Sequence, residues 1–129
     1  KIDDLFGSNQ LIGIFPAGLV SRKSNGKIRD LEWKKTFVAL SKKNERPIIP
    51  VYIDGKLSNF FYRLANFRKF LGIKVNIEML YLANELFKQK NATVTFTVGK
   101  AILPEEINSN MGFRAWASEI RKKVYAMEK

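Results

Sequence analysis

The sequence predicts an α/β fold, a mixed and partly parallel sheet with helices packed on it. Three observations lead there. Leu11-Ile12-Gly13-Ile14-Phe15 is an apolar run stopped by Pro16, and proline cannot donate to a sheet ladder. Leu31 to Lys43 carries Trp33, Phe37 and Leu40 at i, i+4 and i+7, the spacing of one helix face. Ile48 to Ile53 follows, apolar on both faces, as a central parallel strand is. Strand, helix and strand joined by short links form a right-handed crossover unit. Leu11–Phe15 and Ile48–Ile53 are therefore expected to lie side by side and parallel.

The remaining elements follow in order. Lys1 to Phe6 reads as the last turns of a helix with Gly7 as its cap. Pro16 to Arg29 reads as a loop, and Asp30 as the N-cap of the helix after it. Asp54-Gly55 ends the second strand. Ser58 caps a helix from Asn59 to Leu71, which Gly72 closes. Its apolar stripe is Phe60, Leu64, Phe67 and Leu71, flanked by Arg63, Arg68 and Lys69. Aromatic bulk edged by basic side chains suits a membrane interface. Core packing is the reading preferred here, because the chain needs apolar residues for a core. Met79 to Gln89 reads as helical with Leu82, Leu86 and Phe87 buried. Thr93 to Gly99 alternates as a strand with Val94, Phe96 and Val98 on one face. Pro104-Glu105-Glu106 opens a helical turn, and Met111 to Met127 is a helix with a core stripe from Phe113 to Met127.

Composition narrows the function. The 129 residues are 46% hydrophobic and include ten Phe and two Trp, enough for one compact domain. Cys and His are both absent, which argues against disulfides, transition-metal sites and the common nucleophile–base pairs. Neither a metal nor a cofactor is expected. The adjacent acids Asp3-Asp4 and Glu105-Glu106 do not face each other on a helix, so neither forms an acid/base pair. Net charge is +11. Between Arg22 and Lys74, 14 Lys and Arg stand against four acids. A field of one sign this large implies an anionic partner. Nucleic acid, anionic lipid and an acidic carrier protein all qualify. The aromatic residues sit at helical spacing and no nucleic-acid motif is present, so nucleic acid is not expected.

The candidate site is the stretch Phe15-Pro16-Ala17-Gly18-Leu19-Val20-Ser21-Arg22 with Lys23 after it. Gly18 permits positive φ and a close approach by a ligand. Ser21, Arg22 and Lys23 supply donors suited to an anion. The same residues also fit an ordinary strand exit with surface charges.

The next segments add to this. A strand ending in a Phe-Pro-x-Gly loop, a helix, then the strand Ile48-Ile49-Pro50-Val51 resembles the lysophospholipid or glycerolipid acyltransferase family. The resemblance continues through Asn59-Phe60-Phe61-Tyr62, Leu71-Gly72-Ile73, Asn76-Ile77-Glu78-Met79 and Val98-Gly99-Lys100. It points to a bacterial branch, some members of which carry the label hemolysin, that makes ornithine and glycine lipids. It implies the C-terminal part of an acyltransferase domain, peripheral on the cytoplasmic face of the cell membrane. The acceptor would be a lysolipid or lyso-aminolipid, and the donor an acyl carrier protein or acyl-CoA thioester. Phe15, Pro16, Gly18, Ser21 and Arg22 are then expected to bind the acceptor, with Lys23 added for its charge. Pro50 is expected to support the acyl pocket.

Two departures from the family pattern stand out. Its glutamate falls on Ala17 and its arginine on Val20. Its His-x-x-x-x-Asp block, the source of the general base, precedes the Phe-Pro-x-Gly loop, and only 14 residues precede Phe15 here. The expectation is a fragment that lacks this pair and is inactive alone. The competing reading is a membrane-surface module without catalysis.

Overall fold

In a computed structural model, residues 2–128 are described, and they group into two compact units. The first contains the chain up to Val20, Asp30–Ile53 and the segment from Phe96 onward. The second contains Ser21–Arg29 and Asp54–Thr95.

The first unit holds the main core. Trp33, Phe37, Val38, Ile102, Ile107, Ala117, Ile120 and Val124 are buried together with Ala17. Phe37 and Val38 come from α2 (Thr36–Lys43), Ala117, Ile120 and Val124 from α5 (Phe113–Tyr125), and the rest from connecting segments; α1 (Ile2–Phe6), β3 (Val51–Asp54) and β4 (Thr95–Val98) contribute none of them. The helix expected from Leu31 starts five residues later, at Thr36. Asp30 does not cap it. Its Oδ2 accepts from Trp33 Nε1 (2.9 Å), its carbonyl accepts from Arg121, and its N–H donates to the Tyr125 hydroxyl. Residues 30–33 are thus fixed by tertiary bonds to α5 rather than by helix. In α5 the inward side chains are Ala117, Ile120 and Val124; of the expected stripe Phe113, Trp116, Ile120, Val124 and Met127, Ile120 and Val124 are buried and Phe113 is exposed. Trp116 and Met127 pack against the core as partly buried neighbours.

The sheet differs from the expectation. β3 pairs with β4, and the antiparallel bridge Ile48–Ile102 and the bond from Gly99 N to Pro50 O continue the same alignment. Among the described residues there is no parallel pair. Residues 11–15 form no strand: Leu11 is 93% exposed and Phe15 79%. An isolated apolar run has the propensity of a strand, but it needs a ladder beside it. Arg46 instead holds the start of this run, donating to the carbonyls of Phe6, Ser8 and Gln10.

The second unit is built on α3 (Asn59–Phe70), a 3₁₀ turn at Ile77–Tyr81, and α4 (Leu82–Lys88). Ser58 caps α3 as its sequence indicates, its Oγ accepting from Phe61 N (3.2 Å), and Gly72 follows with φ +70°. The expected loop over 16–29 contains a hairpin, β1 (Arg22–Ser24) against β2 (Lys27–Arg29), paired antiparallel. Asn25 and Gly26 both have positive φ, 48° and 76°. That is the Asn-Gly geometry of a tight two-residue turn.

Burial in this unit inverts the expected pattern. The inward face of α3 is Phe61, Tyr62 and Ala65, so the stripe containing Phe60, Phe67 and Leu71 faces outward. In α4 the buried residue is Glu85, while Leu86 and Phe87 are exposed. In the 3₁₀ turn and α4 the buried positions are taken by hydrogen-bonded carboxylates, Glu78 and Glu85, which decides the rotation of these two turns.

Candidate functional site

The Phe-Pro-Ala-Gly segment folds as a β-turn. Gly18 N–H donates to Phe15 O (3.1 Å), with Pro16 second in the turn and Gly18 at φ +68°, so the sequence reading of proline and glycine holds here. Pro16 O also accepts from Lys34 N (3.0 Å), which ties the turn to the chain entering α2. Ala17 points into the core. A glutamate in its place would put a carboxylate among Trp33 and Phe37, which explains why an apolar residue suits this chain.

Beside the turn is an apolar cavity of ≈ 470 Å³, within the range of small-ligand sites. Residues 11–16 form one wall, and Ile48, Ile49, Pro50 and Val51 another. Trp33 and Phe37 close the side toward α2, and Ser41 and Arg46 are its polar lining residues. All of these residues belong to the first unit. Three of the expected site residues, Phe15, Pro16 and Pro50, therefore meet at one cavity.

Lys34 was not among the sequence candidates. A Cβ placed on Gly18 would lie 3.4 Å from its Nζ and 3.7 Å from its Cε, so its ammonium lies over the turn. Val20, where the family pattern has arginine, supplies no charge. Lys34 brings one to the same turn from a residue fourteen or more positions on. The only sequence signal was its place directly after the buried Trp33.

Ser21, Arg22 and Lys23 belong to the second unit, because the division falls between Val20 and Ser21. Arg22 Nη2 donates to Glu78 Oε1 at 2.7 Å. Arg68 Nε lies 2.9 Å from Glu78 Oε2, close but not aligned as a hydrogen bond, and Arg68 Nη1 donates to Ile73 O. Glu78 is fully buried, while both arginines are mostly covered. One buried carboxylate between two guanidiniums leaves the cluster with a net positive charge. Lys23 Nζ donates to Asn59 Oδ1 (3.3 Å), and Lys23 O accepts from Asn66 Nδ2 (3.2 Å). β1 is thereby fastened along α3. Glu78 is the second residue the sequence did not reveal. Its signal is an acid inside the apolar segment from Val75 to Leu82, since buried carboxylates need partners.

The other buried acid, Glu85, accepts from Ser58 N (2.6 Å), Ser58 Oγ (2.7 Å) and Lys88 Nζ (3.1 Å). Burial raises its pKa, but the Ser58 bonds and Lys88 outweigh it and hold the carboxyl below the ordinary range. Both buried carboxylates are thus engaged in fastening the second unit. Neither is a free general base. Among the described residues no group of three or more metal-ligating side chains lies together.

The geometry so far defines an apolar cavity beside a Phe-Pro-Ala-Gly turn. A family model described as acyltransferase matches residues 1–129, and the chain belongs to that family. It is 48% identical over 122 residues to the lyso-glycine lipid O-acyltransferase of Bacteroides thetaiotaomicron, covering 95% of this chain and 45% of that protein. The lyso-glycine lipid O-acyltransferase of Phocaeicola vulgatus is 46% identical over 122 residues, covering 95% of this chain and 44% of that protein. The chain thus spans less than half the length of these curated relatives. No solved structure matches it. No helix among the described residues is long and apolar enough to cross a membrane.

Proposed function

We propose that these residues are part of one acyltransferase domain, in a protein that moves a fatty acyl group from a thioester to the hydroxyl of a lyso-aminolipid. The observation that carries this is 48% identity, over 95% of the chain, to a lyso-glycine lipid O-acyltransferase. In such a transfer the acceptor oxygen attacks the thioester carbonyl, the carbon–sulfur bond breaks, and the acceptor proton passes to a base. The donor is an acyl carrier protein or acyl-CoA thioester, and the acceptor is of the lyso-glycine lipid kind. The cavity beside Phe15, Pro16 and Pro50 takes apolar chain, in keeping with its lining. Gly18 and Lys34 of the first unit serve an anionic headgroup, and Ser21, Arg22 and Lys23 of the second unit offer donors to an anion of their own. The base is supplied from outside these 129 residues, which contain no histidine. The protein works at the cytoplasmic face of an anionic membrane.

A chimera tests this reading. Residues 1–129 are exchanged for the matching segment of the Bacteroides relative, and O-acylation of lyso-glycine lipid is followed by mass spectrometry. Retained acylation, lost again with Gly18→Val, is the expected result. A folded chimera that binds lyso-glycine lipid but acylates nothing contradicts it.

A further inference from the structure

The second unit presents a surface that the acyl-transfer reading does not use. Phe60, Phe67, Phe70 and Leu71 of α3 and its end, with Leu86 and Phe87 of α4, are all exposed. Phe70 is 86% exposed and Phe87 77%. Phe60, Phe67 and Leu71 recur at the spacing of one helix face, opposite the buried Phe61, Tyr62 and Ala65. Phe60 packs edge-on against Tyr81 (centroids 5.4 Å apart), the residue before α4, and Lys88 Nζ lies 6.0 Å from the Phe60 ring. The start of the α3 stripe and α4 are therefore neighbours.

Charge identifies what such a face meets. Ser21–Arg29 and Asp54–Thr95 contain eleven Lys and Arg against three acids, a net +8 of the chain's +11. Two of those acids, Glu78 and Glu85, are buried. Asp54 is the one exposed carboxylate in this unit among the described residues. Protein-binding patches lose charge at their centre and are ringed by polar residues. Here the ring is of one sign, and phenylalanines with basic flanks are the pattern of a helix lying in a headgroup layer.

We propose that the α3–α4 face of the second unit docks on an anionic bilayer, its phenylalanines entering the acyl boundary and its lysines and arginines meeting lipid phosphates. Of the functional reading above, this rests only on the anionic membrane as partner. It places the hold on the membrane in the phenylalanine face, apart from the Arg22–Lys23 hairpin.

The test uses the 129-residue chain and vesicles of phosphatidylglycerol with phosphatidylcholine, against phosphatidylcholine alone. Binding is read by co-sedimentation, with circular dichroism checking each variant's fold. The variant Phe67→Ser/Phe70→Ser/Phe87→Ser is expected to bind anionic vesicles at least about tenfold more weakly, while Arg22→Ala/Lys23→Ala loses less. In Phe70→Trp, emission is expected to shift to the blue and to be quenched by brominated lipid, relative to the parent chain. If the parent binds anionic vesicles and the triple variant binds equally well, the face is not the docking surface, although the membrane reading stands. If the parent ignores anionic vesicles, both fail. Self-association in ultracentrifugation that the triple variant abolishes, without vesicle binding, assigns the face to protein contact and overturns the proposal.

Discussion

The two units differ in what they bury besides apolar side chains. In the first, aliphatic and aromatic residues from α2, α5 and the Ile102 region close over one another, and the space left over is an apolar cavity. In the second, two carboxylates are buried as deeply as Phe61, while Phe60, Phe67, Phe70 and Phe87 lie outside. The first unit is thus held by apolar burial, at about 25 cal/mol per Å². The second depends on the pairing of Glu78 and Glu85. Apolar periodicity alone does not distinguish them, since both have apolar stripes at helical spacing. What distinguishes them is where the polar partners are: Ser58, Arg22 and Arg68 draw the acids inward, and in α4 Leu86 and Phe87 face outward beside the buried Glu85.

The sharpest way to break this contrast is Glu78→Ala. It leaves Arg22 and Arg68 covered and without their shared anion, so chemical denaturation should show a loss of about 3–5 kcal/mol. A loss under 1 kcal/mol means the pair does not hold the unit together. In the first unit, Ile120→Ala removes a fully buried side chain and should cost about 2–5 kcal/mol through transfer and cavity terms. The same assay checks it, and a neutral result denies that α5 anchors the core.

Acid separates the units further. Glu85 has a folded pKa below its usual value of 4.5. Its stabilisation is therefore present above that value and is lost as pH falls through the folded pKa. Unfolding measured from pH 7 to pH 3 should show this loss, and Glu85→Gln should flatten the profile. A Gln variant with the parent's slope removes Glu85 from the explanation. The smallest effect belongs to the exposed face: Phe70→Ser should change stability by no more than about 0.5 kcal/mol. A large loss there means the phenylalanine packs in the fold.

Local signals in the sequence carried well. Ser58 capping α3, Gly72 after it and the turn at Gly18 each depend on a few adjacent residues, and each is in place. Asn25-Gly26 is an equally local hairpin signal, set in a stretch whose polar composition resembles an ordinary loop. Strand pairing is non-local, so residues 11–15 looked like a strand although nothing in the run names a neighbour. Periodicity defined the α3 stripe correctly but not its direction, because inward and outward faces repeat with the same spacing. Among the candidate residues, the motif groups Phe15, Pro16 and Pro50, and all three line the same cavity. Glu78 and Lys34 became visible only once Arg22 and Gly18 had positions in space.

The central claim is that the first unit's cavity receives an acyl chain, and Trp33 in its wall reports on that directly. With Trp116→Phe leaving Trp33 as the lone indole, a brominated long-chain fatty acid is titrated into the protein without vesicles. The account predicts saturable quenching of Trp33 emission, reversed by competition with the unbrominated acid. Emission that stays flat through the titration, in protein shown to be folded, contradicts it.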